Sequence, residues 1–242
     1  MKVSMFITCV SDAVYPKVGE AMARLLARYG VQLEFPEAQT CCGQPAYNSG
    51  YWNEARQAAL TILQAFEDSD FVIAPSGSCT GMLHHYPTLF QDDPVNLAKA
   101  QSLQLKSYEF SQFMVQVLGV TDLGAVFPYK VTYHPSCHGT RILGIRDEPM
   151  QLMKNVKAMK LVPLPFAEDC CGFGGTFAVK MADISGAMVT EKTDHVLETE
   201  AEVLTGLDMG CLMNIAGNLR YRHQPVRVMH LAELLYEGVS GK

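Results

Sequence analysis

Residues 35–43 read FPEAQTCCG and residues 164–172 read LPFAEDCCG. Pro36 and Ala38 lead into Cys41, Cys42 and Gly43, and Pro165 and Ala167 lead in the same way into Cys170, Cys171 and Gly172. Outward from each box lies one further cysteine on either side: Cys9 and Cys79 around the first, Cys137 and Cys211 around the second. Corresponding cysteines are 128, 129, 129 and 132 residues apart. Eight scattered cysteines would rarely fall this way by accident, and repetition at a fixed offset is the mark of a duplicated unit. The chain therefore reads as two related halves, 1–122 and 123–242, joined near residues 119–129, where Gly, Asp and Pro cluster.

Each half alternates short β-rich runs with helical patterns. Strands are expected over 3–8, 31–35 and 71–74 in the first half, and over 130–134, 161–164, 203–204 and 226–229 in the second. Val14, Val18, Met22, Leu25, Leu26 and Tyr29 recur at helical spacing, with Ser11 or Asp12 to cap the start and Gly30 to end it. Trp52, Ala55, Ala59, Ile62, Leu63 and Phe66 form a second face, and Phe110, Phe113, Met114, Val117 and Leu118 a third. A helix over about 179–198 is expected to carry Met181, Ile184, Met188, His195 and Val196 on one side. This alternation predicts an α/β fold of two pseudo-symmetric Rossmann-like repeats with parallel sheets. The cysteines then fall at the carboxyl ends of strands, the usual ligand crevice of such sheets, where the four thiols of one half can converge.

The rest of the composition narrows the function. The chain has 242 residues, 48% hydrophobic and 18% charged, with a net charge of −6. That balance argues against a general nucleic-acid binder and against docking on anionic lipid. Eight cysteines are too few for a disulfide scaffold. The opening MKVSMFITCVSDAVYPK has no signal-peptide core or cleavage site, and no apolar run reaches the length of a membrane span. These features place the chain in a reducing cytoplasm, free or held at the inner face of the membrane through partners, where thiols serve as metal ligands or redox groups.

Four readings of the cysteines compete. Structural disulfides are at odds with adjacent cysteines, which cannot bridge each other without distorting the peptide, and with a reducing compartment. Structural zinc takes four tetrahedral ligands, usually from knuckles of two cysteines a few residues apart, and no such knuckle occurs. Buried cysteine as a small core residue suits one isolated thiol and leaves the duplicated array unexplained. An iron–sulfur cluster offers several iron corners, so neighbouring thiolates can each take one. Gly43, and Gly172, Gly174 and Gly175 in CCGFGG, would let backbone amides approach the sulfurs, although they could equally just turn the chain. His134 and His138 bracket Cys137 in YHPSCHG. Each could be a fifth ligand, a proton donor, a residue behind the ligands or a hydrogen-bonded turn residue. His84 and His85 carry the same alternatives, while His195, His223 and His230 read as surface or core residues. No dinucleotide fingerprint, phosphate loop or HExxH motif is present.

These motifs carry a family resemblance. CCGQPAYNSGY, PSGSCTGM, YHPSCH and CCGFGGTFAVKMADISGAM resemble the cysteine-rich CCG-domain family, which includes the disulfide-reducing component of heterodisulfide reductase and the glycolate oxidase iron–sulfur subunit. The resemblance is closest to the stand-alone two-repeat subunits of lactate-oxidising complexes. It implies an iron–sulfur electron-transfer subunit of a complex oxidising L-lactate, or a related 2-hydroxy acid, to pyruvate. The partners implied are a ferredoxin-like iron–sulfur protein and a small third subunit. By position, Cys9, Cys41, Cys42 and Cys79 would hold one cluster, and Cys137, Cys170, Cys171 and Cys211 the other, each an ordinary [4Fe–4S] cluster or a cluster with an open or non-cysteine corner. One departure matters. Family members such as the heterodisulfide reductase component end each repeat with CxxC, whereas here the boxes read Cys79-Thr80-Gly81-Met82 and Cys211-Leu212-Met213-Asn214. The missing cysteines count against the alternative of a thiol–disulfide or heterodisulfide reductase. A structural zinc protein, or zinc in one repeat only, is the remaining alternative.

Overall fold

In a computed structural model, which describes residues 2–241, two four-stranded sheets are built on one plan. The first contains β1 (Val3–Met5), β2 (Leu33–Glu34), β3 (Phe71–Ala74) and β4 (Ser107–Glu109), in the order β2-β1-β3-β4. The second contains β5 (Lys130–His134), β6 (Lys160–Val162), β7 (Val203–Gly206) and β8 (Arg227–His230), in the order β6-β5-β7-β8. Every pairing is parallel, with Val3 opposite both Leu33 and Phe71, and His134 opposite Gly206. Parallel strands need long crossovers, and helices supply them: α1 (Cys9–Val14), α2 (Pro16–Ala27), α3 (Gln44–Asn48), α4 (Trp52–Ala65), α5 (Gly77–His85), α6 (Pro94–Lys106) and α7 (Phe110–Gln112) in the first half, and α8 (Cys137–Arg141), α9 (Asp147–Lys154), α10 (Phe177–Lys180), α11 (Ala182–Glu198), α12 (Met209–Tyr221) and α13 (Leu231–Ser240) in the second. The α/β repeat expected from the cysteine boxes is the fold observed.

The core crosses from one half to the other. Met22, Leu25 and Leu26 of α2 join Leu231, Leu234 and Leu235 of α13 in one buried cluster with Phe110, Phe113 and Val131. The last helix of the chain thus closes on the second helix. Each such fully buried side chain contributes about 1.5–3 kcal/mol over its exposed state. The last residue of each final strand is buried and caps the next helix reciprocally: Glu109 with Gln112 before α7, and His230 with Glu233 before α13.

Local details depart from the sequence expectations for identifiable reasons. The helix between β1 and β2 is broken at Tyr15 by Pro16, which opens α2, so Ser11 and Asp12 lie inside α1 and cap nothing. The π-helical turn Phe113–Val117 interrupts the third expected face. On α11 the buried side is Ser185, Val189, Lys192 and Val196, whereas Met181 and Ile184 are 46% and 50% exposed. An apolar stripe was the wrong guide there, because a buried lysine occupies the inner face. The weakly patterned α6 and β4 were not expected at all. Asp93 opens α6 by accepting from the Asn96 amide.

Candidate metal centre

All eight cysteines border one cavity of about 170 Å³ between the two halves. Four of them sit in the first turn of a helix that follows a strand. Cys9 and Cys137 are the first residues of α1 and α8, while Cys79 and Cys211 lie three residues beyond Ser76 and Asp208, the N-caps of α5 and α12. The positive end of a helix favours a thiolate there. Ser76 Oγ accepts from the Cys79 amide at 3.1 Å, and Asp208 Oδ1 accepts from the Gly210 amide at 3.0 Å. The two Cys-Cys-Gly boxes lie in the turns before α3 and α10. Gly43 and Gly172 have the same left-handed φ of 81° and back onto the next long helix so closely that an added Cβ would meet Ala55 O at 3.2 Å or Ser185 O at 2.7 Å. Only glycine fits such a position without strain. The Gly172 amide donates to Cys170 Sγ at 3.4 Å, and the Gly43 amide plays the same part for Cys41. Gly174 and Gly175 also adopt positive φ and border the cavity.

The sulfurs form two chains of contact, Cys9–Cys41–Cys42–Cys79 and Cys137–Cys170–Cys171–Cys211. Cys42 and Cys79 lie 3.5 Å apart, and none of the eight is in a disulfide. Hydrogen bonds from Cys42 and Cys9 pull the Cys41 thiol far down, and those from Cys137 and Cys171 do the same to Cys170. Donating to those sulfurs, and then burial, pushes Cys9, Cys42, Cys137 and Cys171 up. Each quartet therefore sets thiols of opposed proton affinity side by side, Cys41 between Cys9 and Cys42, and Cys170 between Cys137 and Cys171. Four soft donors so placed would exchange their protons for a thiophilic metal centre. The donor set, the inward amides and the glycine backs all fit an iron–sulfur group.

The histidines divide by position. His134 ends β5, is 2% exposed, and has no hydrogen-bond partner on either ring nitrogen. One of its nitrogens lies within 4.8 Å of both Cys171 Sγ and Cys211 Sγ. Burial, reinforced by Lys192, pushes its pKa down to about 4, so the ring is neutral. His138 is half-buried, with Nδ1 3.5 Å from Cys137 Sγ and Nε2 3.2 Å from Gln44 Nε2 in the other half. His84 meets Ser107 O, and His85 meets the Tyr47 hydroxyl, away from the cavity lining.

Several residues at the site carry no individual signal in the sequence. Lys192 is 1% exposed and donates to Phe166 O at 2.6 Å, beside Cys170 and Cys171. Asn214 donates to Cys171 O at 2.8 Å, and the Tyr86 hydroxyl does the same for Cys42 O at 2.9 Å. Ser76 and Asp208 face each other as an antiparallel bridge between the two halves, with Ser76 Oγ and the Ser78 amide donating to Asp208 Oδ2 at 2.9 and 2.8 Å. These last two could have been found as N-caps three residues before Cys79 and Cys211.

A family model described as CCG, cysteine-rich domain, matches residues 3–84 and 131–216, the two spans that hold the two quartets. The chain belongs to this family. Within the CCG family it is similar to Lactate utilization protein A of Oceanobacillus iheyensis, 55% identical over 97% of this chain and 96% of that protein. It is similar also to the proteins of that name from Bacillus subtilis, at 54% over 97% and 99%, and from an Exiguobacterium species, at 52% over 98% of each. Among solved structures, a hypothetical protein from Helicobacter pylori matches all of this chain and 49% of its own, with a TM-score of 0.69 at 10% identity. That likeness shows the CCG chain's fold alone. Among the described residues, no helix is long and apolar enough to cross a membrane.

Proposed function

We propose that this chain is the iron–sulfur electron-transfer subunit of a complex that oxidises L-lactate to pyruvate, or a related 2-hydroxy acid to its 2-oxo acid. The observation that carries the reading is the pair of cysteine quartets around one cavity, in a chain more than half identical to proteins named for lactate utilization. In the first repeat Cys9, Cys41, Cys42 and Cys79 would be the ligands, and in the second Cys137, Cys170, Cys171 and Cys211. When bound, an iron–sulfur cluster in each repeat would supply one-electron transfer, and two such groups match the two electrons that a hydroxy acid gives up on becoming an oxo acid. The chain's own part is to hold the sulfurs. Gly43 and Gly172 let the boxes turn tightly and aim amides at Cys41 and Cys170, and the cap hydrogen bonds fix Cys79 at the head of α5 and the first turn of α12 that carries Cys211. A ferredoxin-like iron–sulfur protein and a third small subunit would complete the assembly and supply the site where substrate is oxidised.

The test is anaerobic purification of the full chain with iron and sulfide analysis and visible spectra. The expected result is iron and sulfide in equal amounts, with a broad visible band bleached by dithionite. Folded, anaerobically reconstituted protein that holds zinc and no sulfide would overturn the reading.

A further inference from the structure

The two quartets differ at one place where chemistry is decided. Three residues before Cys9 stands Phe6, and three residues before Cys137 stands His134. Phe6 packs in the apolar cluster around Cys42 and Cys79 and meets Phe66 edge-on at 5.7 Å. His134 brings two ring nitrogens into the corresponding interior, and both lack a partner. A buried polar group in a native fold is ordinarily hydrogen-bonded, and one that is not calls for an explanation such as an ion. Its surroundings supply one: a ring nitrogen, Cys171 Sγ and Cys211 Sγ all lie within 4.8 Å of one another. A metal–ligand bond spans about 2.0–2.3 Å, so an iron held by Cys171 or Cys211 comes within bonding reach of the ring after a shift of under about 1 Å.

Resting on the iron–sulfur reading above, we propose that His134 is a direct imidazole ligand of the metal centre in the second repeat. That centre then has nitrogen as well as sulfur donors, while the centre in the first repeat has sulfur alone. His134 is held for the role by the ladder that sets it opposite Gly206, where a Cβ would lie 2.9 Å from His134 O. The histidine that borders the cavity, His138, is engaged, since it meets Cys137 Sγ and Gln44. Three residues after Cys211, the Asn214 amide is committed to Cys171 O. His134 is therefore the unengaged donor behind Cys171 and Cys211.

The full chain, labelled with 15N-histidine and reconstituted anaerobically with iron and sulfide, tests this by pulsed EPR in its paramagnetic states. The expected result is a histidine nitrogen coupling of the strength of direct ligation, lost in His134→Phe, which copies the first repeat, and kept in His138→Ala. If His134→Phe does not fold, the coupling in the parent and its persistence in His138→Ala still identify the ligand. Iron and sulfide present with no ligating nitrogen, or a coupling that survives His134→Phe, would overturn the assignment and leave the iron–sulfur reading standing. A parent protein without iron and sulfide would overturn both.

Discussion

Around Cys42 and Cys79 the packed neighbours are Phe6, Ile62 and Met82. Around Cys171 and Cys211 the corresponding places hold His134, Lys192 and Asn214. The correspondence follows from the backbone. Ala55 backs Gly43 and Ser185 backs Gly172, and Ile62 and Lys192 each lie seven residues further along those helices. One scaffold thus presents equal sets of sulfur to two unequal interiors, one apolar and one carrying a cation and an imidazole. In a low-dielectric interior a positive charge favours whatever state nearby carries more electrons. The repeat supplies the sulfur geometry twice, and the surroundings differentiate the two copies.

The sharpest break of this comparison is to remove one buried thiol at a time. Cys171→Ser should lose the second-repeat metal, about half the iron and sulfide of the parent, and Cys42→Ser the first-repeat half, both read by metal analysis. Loss of everything on either change would mean one shared centre in place of two.

The two capping residues that end the final strands give the next largest contrast, because they respond to pH in opposite senses. Burial raises the Glu109 carboxyl from 4.5 to about 8, so the fold holds a proton that the unfolded chain releases. Its stabilisation is full below pH 4.5 and is lost as pH rises through about 8. Burial lowers His230 from 6.5 to about 4, so the fold resists a proton that the unfolded chain accepts. Its stabilisation is full above pH 6.5 and is lost as pH falls through about 4. Glu109→Gln should flatten the alkaline limb and His230→Asn the acid limb, each by on the order of 3 kcal/mol, in denaturant midpoints from about pH 4 to 9. Variant profiles that overlay the parent would refute the role given to burial.

The glycine backs offer a graded comparison. Gly172→Ala forces a Cβ to 2.7 Å from Ser185 O at positive φ, and should cost roughly 3 kcal/mol or more. Gly43→Ala meets nothing nearer than 3.2 Å and should cost about 1–2 kcal/mol. Thermal midpoints in the wrong order would show that the second box relaxes more easily than its packing suggests. Smallest are the bonds to the box carbonyls. Tyr86→Phe and Asn214→Ala should each cost about 1 kcal/mol by chemical denaturation, the former more because Tyr86 is wholly buried.

Much of this was legible from the cysteines. Their fixed offset implied a duplicated unit, the alternation of strand and helix patterns implied parallel α/β sheets, and strands such as Phe71–Ala74 and Lys130–His134 fell where β-rich runs placed them. Patterning failed where polarity and burial part company. Lys192 is charged yet inside, Met181 and Ile184 are apolar yet outside, and α6 is too polar to show a face. The sharing of one cavity by both quartets was hidden for another reason. It depends on α13 closing over α2 and on Ser76 meeting Asp208, contacts between residues far apart in the chain with no local signature.

That last contact bears on how the halves can be combined. Two copies of the second half, arranged in the same way as a homodimer, would set Asp208 against Asp208, carboxylate facing carboxylate. Two copies of the first half would set hydroxyl against hydroxyl and leave the Ser78 amide without an anion. Only the mixed pair sets two donors against a carboxylate. The contact between the halves is therefore directional, with the donors on one side and the anion on the other.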